Sequence, residues 1–125
     1  MVDYRLELVI IPVTDVDRAV AFYGDTLGWP VDFNSVVSPE LHFVQVTPPG
    51  SACSIAFGVG LLPADATTPY PGLQVVTADA DAAHDDLAAR GVAVGPVQEL
   101  AWGRFVSFDD PDGNHWAVQE LPQRG

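Results

Sequence analysis

The chain contains the same succession of strand, helix and strands twice, and this internal repeat constrains its fold more than any other feature. An N-cap residue opens each helical pattern, Thr14 or Asp15 in the first copy and Asp79 in the second. A glycine ends each pattern, and aligning Asp79 with Asp15 places Gly91 one residue from register with Gly28. We therefore predict two copies of one β-α-β-β-β module.

Runs of apolar or alternating residues between turn-forming stretches predict the strands of each module. Segment 59–71 holds three prolines and little periodicity, so we interpret it as a connector. The single domain 1–125 then consists of module 1 at about 1–58, this connector, and module 2 at about 72–125. The predicted strands are 5–13, 31–36, 41–47 and 52–58 in module 1, and the run GLQVVT followed by 92–99, 103–109 and 115–120 in module 2.

Charge and cysteine content exclude several function classes. The formal net charge is −12, from 17 acidic and 5 basic residues, so a phosphate backbone would be repelled and we expect no nucleic-acid partner. The apolar run in MVDYRLELVIIPV is too short for a membrane span or a signal peptide, and we expect a cytoplasmic protein that binds no membrane. Cys53 is the only cysteine, which rules out an internal disulfide and a thiolate metal cluster.

The segment FDDPDGNHWAVQE, residues 108–120, combines a tight turn with a strand that carries several polar side chains. Pro111 suits the fixed φ of a turn, Asp110 before it can bond the turn backbone, and Gly113 adopts positive φ at least expense. The turn therefore closes the last hairpin of the second module.

Three segments together resemble the vicinal oxygen chelate superfamily, also called the glyoxalase/bleomycin resistance/dioxygenase superfamily. They are LVIIPVTDVDRAVAFYGDTLGW, VVTADADAAHDDLAARGV and FVSFDDPDGNHWAVQE, in this order. The resemblance implies an α+β fold in which two tandem β-α-β-β-β modules form a curved mixed sheet around a cleft. It also implies a homodimer and, in the metal-using members, a divalent ion that chelates vicinal oxygens of the substrate.

The metal-ligand positions that the resemblance implies fall on Leu8, Gly72 and Ala117. None of these residues has a side-chain donor, so we predict no bound metal and no other cofactor. Glu7 is adjacent to the first position, but strand alternation directs it to the opposite face. His42 and His115 remain the residues that would rebuild a displaced site.

Strand alternation predicts which side chains line the cleft. Gln74 and Gln119 would orient a polar group of a ligand, or equally would hydrogen-bond each other or the backbone. Arg104 would meet a ligand carboxylate. Trp116 and Val118 have the opposite parity and are expected in the core. The expected lining is Leu6, Leu8, Ile10, Gln74, Val76, His115, Ala117 and Gln119, with Tyr70, Trp102 and Phe105 stacking on a planar ligand.

Two function classes follow from this lining. The first is a module that binds a small, partly hydrophobic or aromatic molecule without a catalytic metal, as in bleomycin-resistance-like sequestration of an antibiotic or metabolite. The second is an enzyme, either a glyoxalase-like lyase or isomerase or a dioxygenase with a nonstandard metal site, or a metal-free catalyst with His42 or His115 as the base. We favour the first, because three positions without donors remove the Lewis acid of the family's chemistry.

Overall fold

Each half of the chain folds as one β-α-β-β-β module in the computed structural model, which describes residues 1–122. The chain divides into two compact units, Met1–Thr68 and Pro69–Gly125. The first contains β1 (Leu8–Ile10), α1 (Val16–Val20) with a π-helical continuation (Ala21–Thr26), β2 (Val31–Ser38), β3 (Leu41–Val46) and β4 (Ser54–Val59). The second contains β5 (Leu73–Thr77), α2 (Ala80–Ala89), β6 (Gln98–Leu100), β7 (Gly103–Asp109) and β8 (His115–Glu120).

The two units have the same sheet topology. The strand order is β1-β4-β3-β2 in the first unit and β5-β8-β7-β6 in the second. In each unit the first strand pairs in parallel with the last, and the remaining pairs are antiparallel. Both sheets are therefore mixed, which confirms the predicted α+β fold of two tandem modules.

Side-chain caps fix the start of each helix, as the repeat predicts. Asp15, rather than Thr14, is the first N-cap, and its Oδ1 accepts from the Arg18 backbone N–H at 3.1 Å. Asp79 caps α2 in the same way, with its Oδ1 accepting from the Ala82 N–H at 3.1 Å. Carboxylates at these positions satisfy backbone donors that a helix leaves unpaired.

Two predicted strands are shorter in the structure. The strand predicted at 5–13 pairs over Leu8–Ile10 only, and Tyr4 and Leu6 before it are exposed. The strand predicted at 92–99 is confined to β6, because the preceding backbone has other partners. Val92 N–H donates to the Leu87 carbonyl at the end of α2, at 3.0 Å, and therefore belongs to the helix terminus.

Each sheet has one face against its helix, called the helix face below, and an opposite face, called the far face. On the first helix face Tyr23 packs against Phe57, with ring centroids 5.8 Å apart. On the second, Phe108 stacks on Trp116 at 6.1 Å. Trp116 and Val118 are buried, as predicted for core residues. The alternate residues of the same strands occupy the far faces.

The turn of the last hairpin is built around a buried pair, Asp110 and Asn114. Asp110 Oδ1 accepts from the Asn114 backbone N–H at 2.9 Å, and Asp110 Oδ2 accepts from Asn114 Nδ2 at 2.8 Å. Asn114 Oδ1 accepts from the Tyr70 N–H at 2.9 Å, and the Tyr70 carbonyl accepts from the His115 N–H at 2.7 Å. The turn thus holds the segment that leads into β5.

No helix within residues 1–122 is long and apolar enough to cross a membrane.

Candidate functional site

The far face of the second sheet brings together most of the residues that strand alternation singled out. Register places Gln74 beside Ala117, and Val76 beside Gln119. On the other side of β8, Phe105 pairs with Gln119. This face carries apolar side chains together with amide, hydroxyl and imidazole groups. Its members include Gln74, Val76, Gln98, Phe105, Ser107, His115, Ala117 and Gln119.

A directed chain of hydrogen bonds crosses this face. Gln119 Nε2 donates to the Trp102 backbone carbonyl at 2.8 Å. Gln74 Nε2 donates to Gln119 Oε1 at 2.7 Å. The contact between the two glutamines is the arrangement that the sequence left open as an alternative to ligand binding. This contact uses one amide hydrogen of Gln74. The Gln74 carbonyl oxygen remains able to accept from another donor.

The far face of the first sheet carries a second hydrogen-bond chain, which sequence reasoning missed. Gln45 Nε2 donates to Ser54 Oγ at 3.3 Å, and Ser54 Oγ lies 2.6 Å from Thr47 Oγ1. Thr47 Oγ1 donates in turn to Asp32 Oδ2 in a short hydrogen bond. Leu8 pairs with Ser54 in register, so this polar chain adjoins the first of the family's ligand positions.

A sequence signal for Gln45 does exist. Val44 and Val46 are both fully buried, and strand alternation places the residue between them on the other face. The polar residue in the run HFVQV is therefore directed to the far face by the same rule that selects Gln74 and Gln119.

All three histidines have a hydrogen-bond partner on the imidazole, and two of them, His42 and His115, are the predicted site candidates. His115 Nδ1 lies 2.7 Å from Asp109 Oδ1, and the two residues are directly paired across β7 and β8. His42 Nε2 lies 2.7 Å from Asn34 Oδ1. An aspartate on one ring nitrogen sets the tautomer of an imidazole and directs its second nitrogen outward. The Asp109 carboxylate thus orients the His115 ring, and the Asn34 side-chain oxygen orients the His42 ring.

The predicted stacking residues differ in exposure. Trp102 is 62% exposed in the turn between β6 and β7. Phe105 is half-buried on the far face beside Gln119. Tyr70 is half-buried, and both its backbone N–H and its carbonyl are hydrogen-bonded to the last hairpin. Phe105 therefore presents aromatic surface beside Gln119, and Trp102 contacts the Gln119 amide through its backbone carbonyl.

Arg104 lies on the helix face, where carboxylates occupy its guanidinium. Asp81 accepts two hydrogen bonds from it, at 2.9 and 3.1 Å, which is bidentate geometry. Glu99 accepts a third at 3.2 Å, and Glu120 lies 3.6 Å away. These partners fix the side chain against the N-terminus of α2, where Glu120 Oε1 also accepts from the Ala80 N–H at 2.8 Å. The structure thus brings Arg104 to a structural ion cluster.

This ion cluster predicts an acid-dependent loss of stability. The hydrogen bonds from Arg104 hold the pKa of Asp81 below its usual value, and the same bonds raise the pKa of the guanidinium. A lowered carboxyl pKa stabilises the fold above the unfolded value, about 3.9, and the stabilisation is lost as the pH falls through the folded value. Asp81→Asn should therefore be less stable than the parent protein above about pH 5, with the difference closing below about pH 4.

Urea unfolding as a function of pH measures this difference. The matched control is the same substitution in an Arg104→Gln background, where the difference at neutral pH should shrink because its partner is absent. A difference that stays constant from pH 7 to pH 3 would contradict the assignment to this ion pair.

The metal-ligand positions that the resemblance implies do not fit a divalent ion here. Leu8, Gly72 and Ala117 provide no oxygen, nitrogen or sulfur donor from their side chains. Within residues 1–122, no three His, Cys, Asp or Glu side chains are grouped so as to hold an ion. Glu7, whose backbone carbonyl accepts from the Ser54 N–H, precedes β1.

Known proteins resemble this chain in sequence and in fold. The sequence model of the Glyoxalase/Bleomycin resistance protein/Dioxygenase superfamily matches residues 5–118. TnmS3, an antibiotic binding protein from Streptomyces sp. CB03234, is 30% identical over 98% of this chain and 99% of its own, with a TM-score of 0.82. A member of the same superfamily from Sphaerobacter thermophilus DSM 20745 is 32% identical over 94% of this chain and 97% of its own, with a TM-score of 0.80.

A third similar structure shares the fold at lower identity. It is the bleomycin-binding protein from bleomycin-producing Streptomyces verticillus, solved with copper(II)-bleomycin. It is 24% identical over 98% of this chain and 100% of its own, with a TM-score of 0.73.

Proposed function

The chain belongs to the Glyoxalase/Bleomycin resistance protein/Dioxygenase superfamily, and from this premise we propose that it binds and sequesters a small, partly aromatic molecule without a catalytic metal. The observation that carries the proposal is the far face of the second sheet, where Gln74 and Gln119 lie among Val76, Phe105 and Ala117. Apolar area supplies affinity for such a ligand, and a few fixed polar groups supply orientation.

We propose binding without a metal because the side chains at the expected ligand positions have no donor atoms. Leucine, glycine and alanine at the three family positions leave a Lewis acid without ligands. TnmS3, which is 30% identical, is an antibiotic binding protein, so small-molecule binding is a function found in this fold at this similarity. We extend that kind of function to this chain. The class of its ligand is inferred below from the polar groups of the far faces.

A blocking substitution tests the location of binding. Ala117→Arg places a long charged side chain at the centre of the second far face, beside Gln74 and Ser107. We expect it to lower the affinity for aromatic ligands by more than about tenfold. A thermal-shift screen of aromatic metabolites and antibiotics supplies the ligands, since a compound that binds only the folded state raises the melting temperature.

Ala89→Arg is the matched control, because Ala89 is exposed at the end of α2. It should bind as tightly as the parent protein. Binding should also survive EDTA, and elemental analysis of protein purified without chelator should find no stoichiometric divalent metal. About one equivalent of metal per chain, with binding that EDTA abolishes, would favour the lyase or dioxygenase alternative.

We further propose that two copies of this chain associate. β2 is an outermost strand of the first sheet, and its large apolar side chains are exposed, with Phe33 at 56%, Val36 at 70% and Val37 at 67%. An exposed apolar edge strand favours association, and pairing with an identical copy would cover it.

Light scattering at micromolar concentration should give the mass of two chains. Phe33→Glu/Val37→Glu should shift the mass to that of one chain, whereas Thr68→Glu, on an exposed loop residue, should not. A parent protein with the mass of a single chain would refute the association.

A further inference from the structure

We propose that the ligand of this protein carries O–H or N–H donors, because each far face presents a glutamine whose carbonyl oxygen is held ready to accept a hydrogen bond. This inference rests on the small-molecule binding proposed above and specifies the chemistry of that ligand. It follows from the direction in which each chain of hydrogen bonds must run, and the two chains lead to it independently.

In the second sheet a backbone carbonyl sets the direction. The Trp102 carbonyl oxygen can only accept, so the Gln119 group that lies 2.8 Å from it must be the amide nitrogen. The Gln119 oxygen therefore faces Gln74, and Gln74 must donate through its own nitrogen, at 2.7 Å. Rotating either amide by a half-turn would place two oxygens or two nitrogens together. Gln74 Oε1 is left directed away from this chain, and no described residue donates to it.

A glycine permits the close approach on which this chain depends. Gly103 begins β7 with φ +149°, and a Cβ there would lie 2.6 Å from the Glu120 carbonyl oxygen and 3.1 Å from Gln119 Nε2. A Cβ there would overlap the Glu120 carbonyl and crowd the Gln119 amide, so glycine allows that amide to reach the Trp102 carbonyl. The orientation of Gln74 is therefore built into the backbone of the hairpin.

In the first sheet a carboxylate sets the direction. Asp32 Oδ2 accepts from the Thr47 hydroxyl, which uses the single hydrogen of that hydroxyl. Thr47 Oγ1 must then accept from the Ser54 hydroxyl, at 2.6 Å. Because the Ser54 hydroxyl hydrogen is used in this contact, Ser54 Oγ can only accept from Gln45, and Gln45 Nε2 donates to it at 3.3 Å. Gln45 Oε1 is again the atom left over, with no donor among the residues that the structure describes.

The two chains together define a ligand class. Each leaves a whole carbonyl oxygen and one N–H on its terminal glutamine, a pair that a hydroxyl group can satisfy because it both donates and accepts. A carboxylate ligand lacks the hydrogen for these oxygens, and the guanidinium of Arg104 is occupied by Asp81. The net charge of −12 also disfavours an anion. The class is therefore neutral or cationic aromatic molecules with hydroxyl or amino groups.

Matched probe pairs test the donor requirement. We compare 2-naphthol with 2-methoxynaphthalene, and indole with 1-methylindole, because each methylation removes the donor and keeps the aromatic ring. Dissociation constants come from ligand-observed NMR titrations at neutral pH. In the parent protein the donor-bearing member of each pair should bind about threefold to tenfold more tightly, the range for one neutral hydrogen bond.

Methionine variants connect this preference to the two amides. Gln45→Met/Gln74→Met should bind both members of a pair equally, because methionine keeps the side-chain length and removes the acceptor. Gln119→Met should weaken the preference, since it releases Gln74 to rotate, although Gln119 itself need not contact the probe. Ala89→Met introduces a methionine at the exposed end of α2, away from both chains, and the preference should persist.

Each outcome bears on a different statement. Equal binding within both pairs by the parent protein would overturn the donor requirement and leave the binding function standing. A preference that survives in Gln45→Met/Gln74→Met would overturn the assignment to these amides. Failure of every probe to bind would overturn the proposed function and this inference together. Gln74 is exposed, so Gln74→Met alone serves if the double variant does not fold.

Discussion

Gly58→Ala should destabilise the first unit by about 4 kcal/mol, at the upper end of the range for single substitutions. Gly58 is the penultimate residue of β4, with φ +158°, and pairs with Phe43 of β3. A Cβ at this position would lie 1.8 Å from the His42 carbonyl oxygen and 2.7 Å from its carbon. These are backbone atoms of the neighbouring strand, so no side-chain rotation relieves the overlap, and β3 must separate from β4.

Urea unfolding followed by circular dichroism measures this loss. Gly95→Ala is the matched control, because a Cβ there meets no atom within 4 Å. The control should change the free energy of unfolding by less than about 1 kcal/mol. Equal stabilities for the two variants would show that β3 and β4 do not approach as closely as the structure has them.

Asn114→Ala should lower the free energy of unfolding by about 3 kcal/mol, because it leaves buried polar atoms without partners. The Asn114 side chain is fully buried and bonds both Asp110 Oδ2, at 2.8 Å, and the Tyr70 N–H, at 2.9 Å. Alanine supplies neither bond, and Asp110 is itself only 5% exposed. A buried carboxylate that loses a donor is among the more destabilising defects in a protein.

Asn34→Ala is the control for this substitution, since Asn34 is exposed on β2 and bonds only the His42 ring among the contacts described. Its effect should stay below about 1 kcal/mol. Amide hydrogen exchange adds a local readout, because the Tyr70 N–H should exchange faster in Asn114→Ala than in Asn34→Ala. Unchanged protection of Tyr70 would place its hydrogen bond elsewhere.

The architecture was predictable because local signals and the repeat agreed. Asp15 and Asp79 mark the helix starts by a capping chemistry that depends on neighbouring residues only. The strand at 92–99 was predicted too long because the apolar run includes a residue that belongs to the end of α2. Val92 is apolar in sequence, but it directly follows the helix-ending Gly91, and its N–H bonds the Leu87 carbonyl as part of the helix terminus.

The candidate site was predictable to the extent that it follows strand alternation. That rule selected Gln74 and Gln119 from parity, and register places them on one face. It could not reveal that Asp32, Thr47 and Ser54 orient Gln45, because these residues come from different strands and meet only after β2, β3 and β4 pair. The same limit applies to Arg104, whose contact with Asp81 joins residues 23 positions apart.

The Trp102 carbonyl has an evolutionary consequence. Because the group that orients Gln119 belongs to the main chain, any residue at position 102 other than one that distorts the turn supplies the same oxygen. Substitutions can thus replace the indole by other rings or by aliphatic groups, while the orientation of the Gln119 amide stays unchanged. Descendants of such a protein could acquire new ligand shapes at the rim of the sheet without having to reinvent the polar recognition behind it.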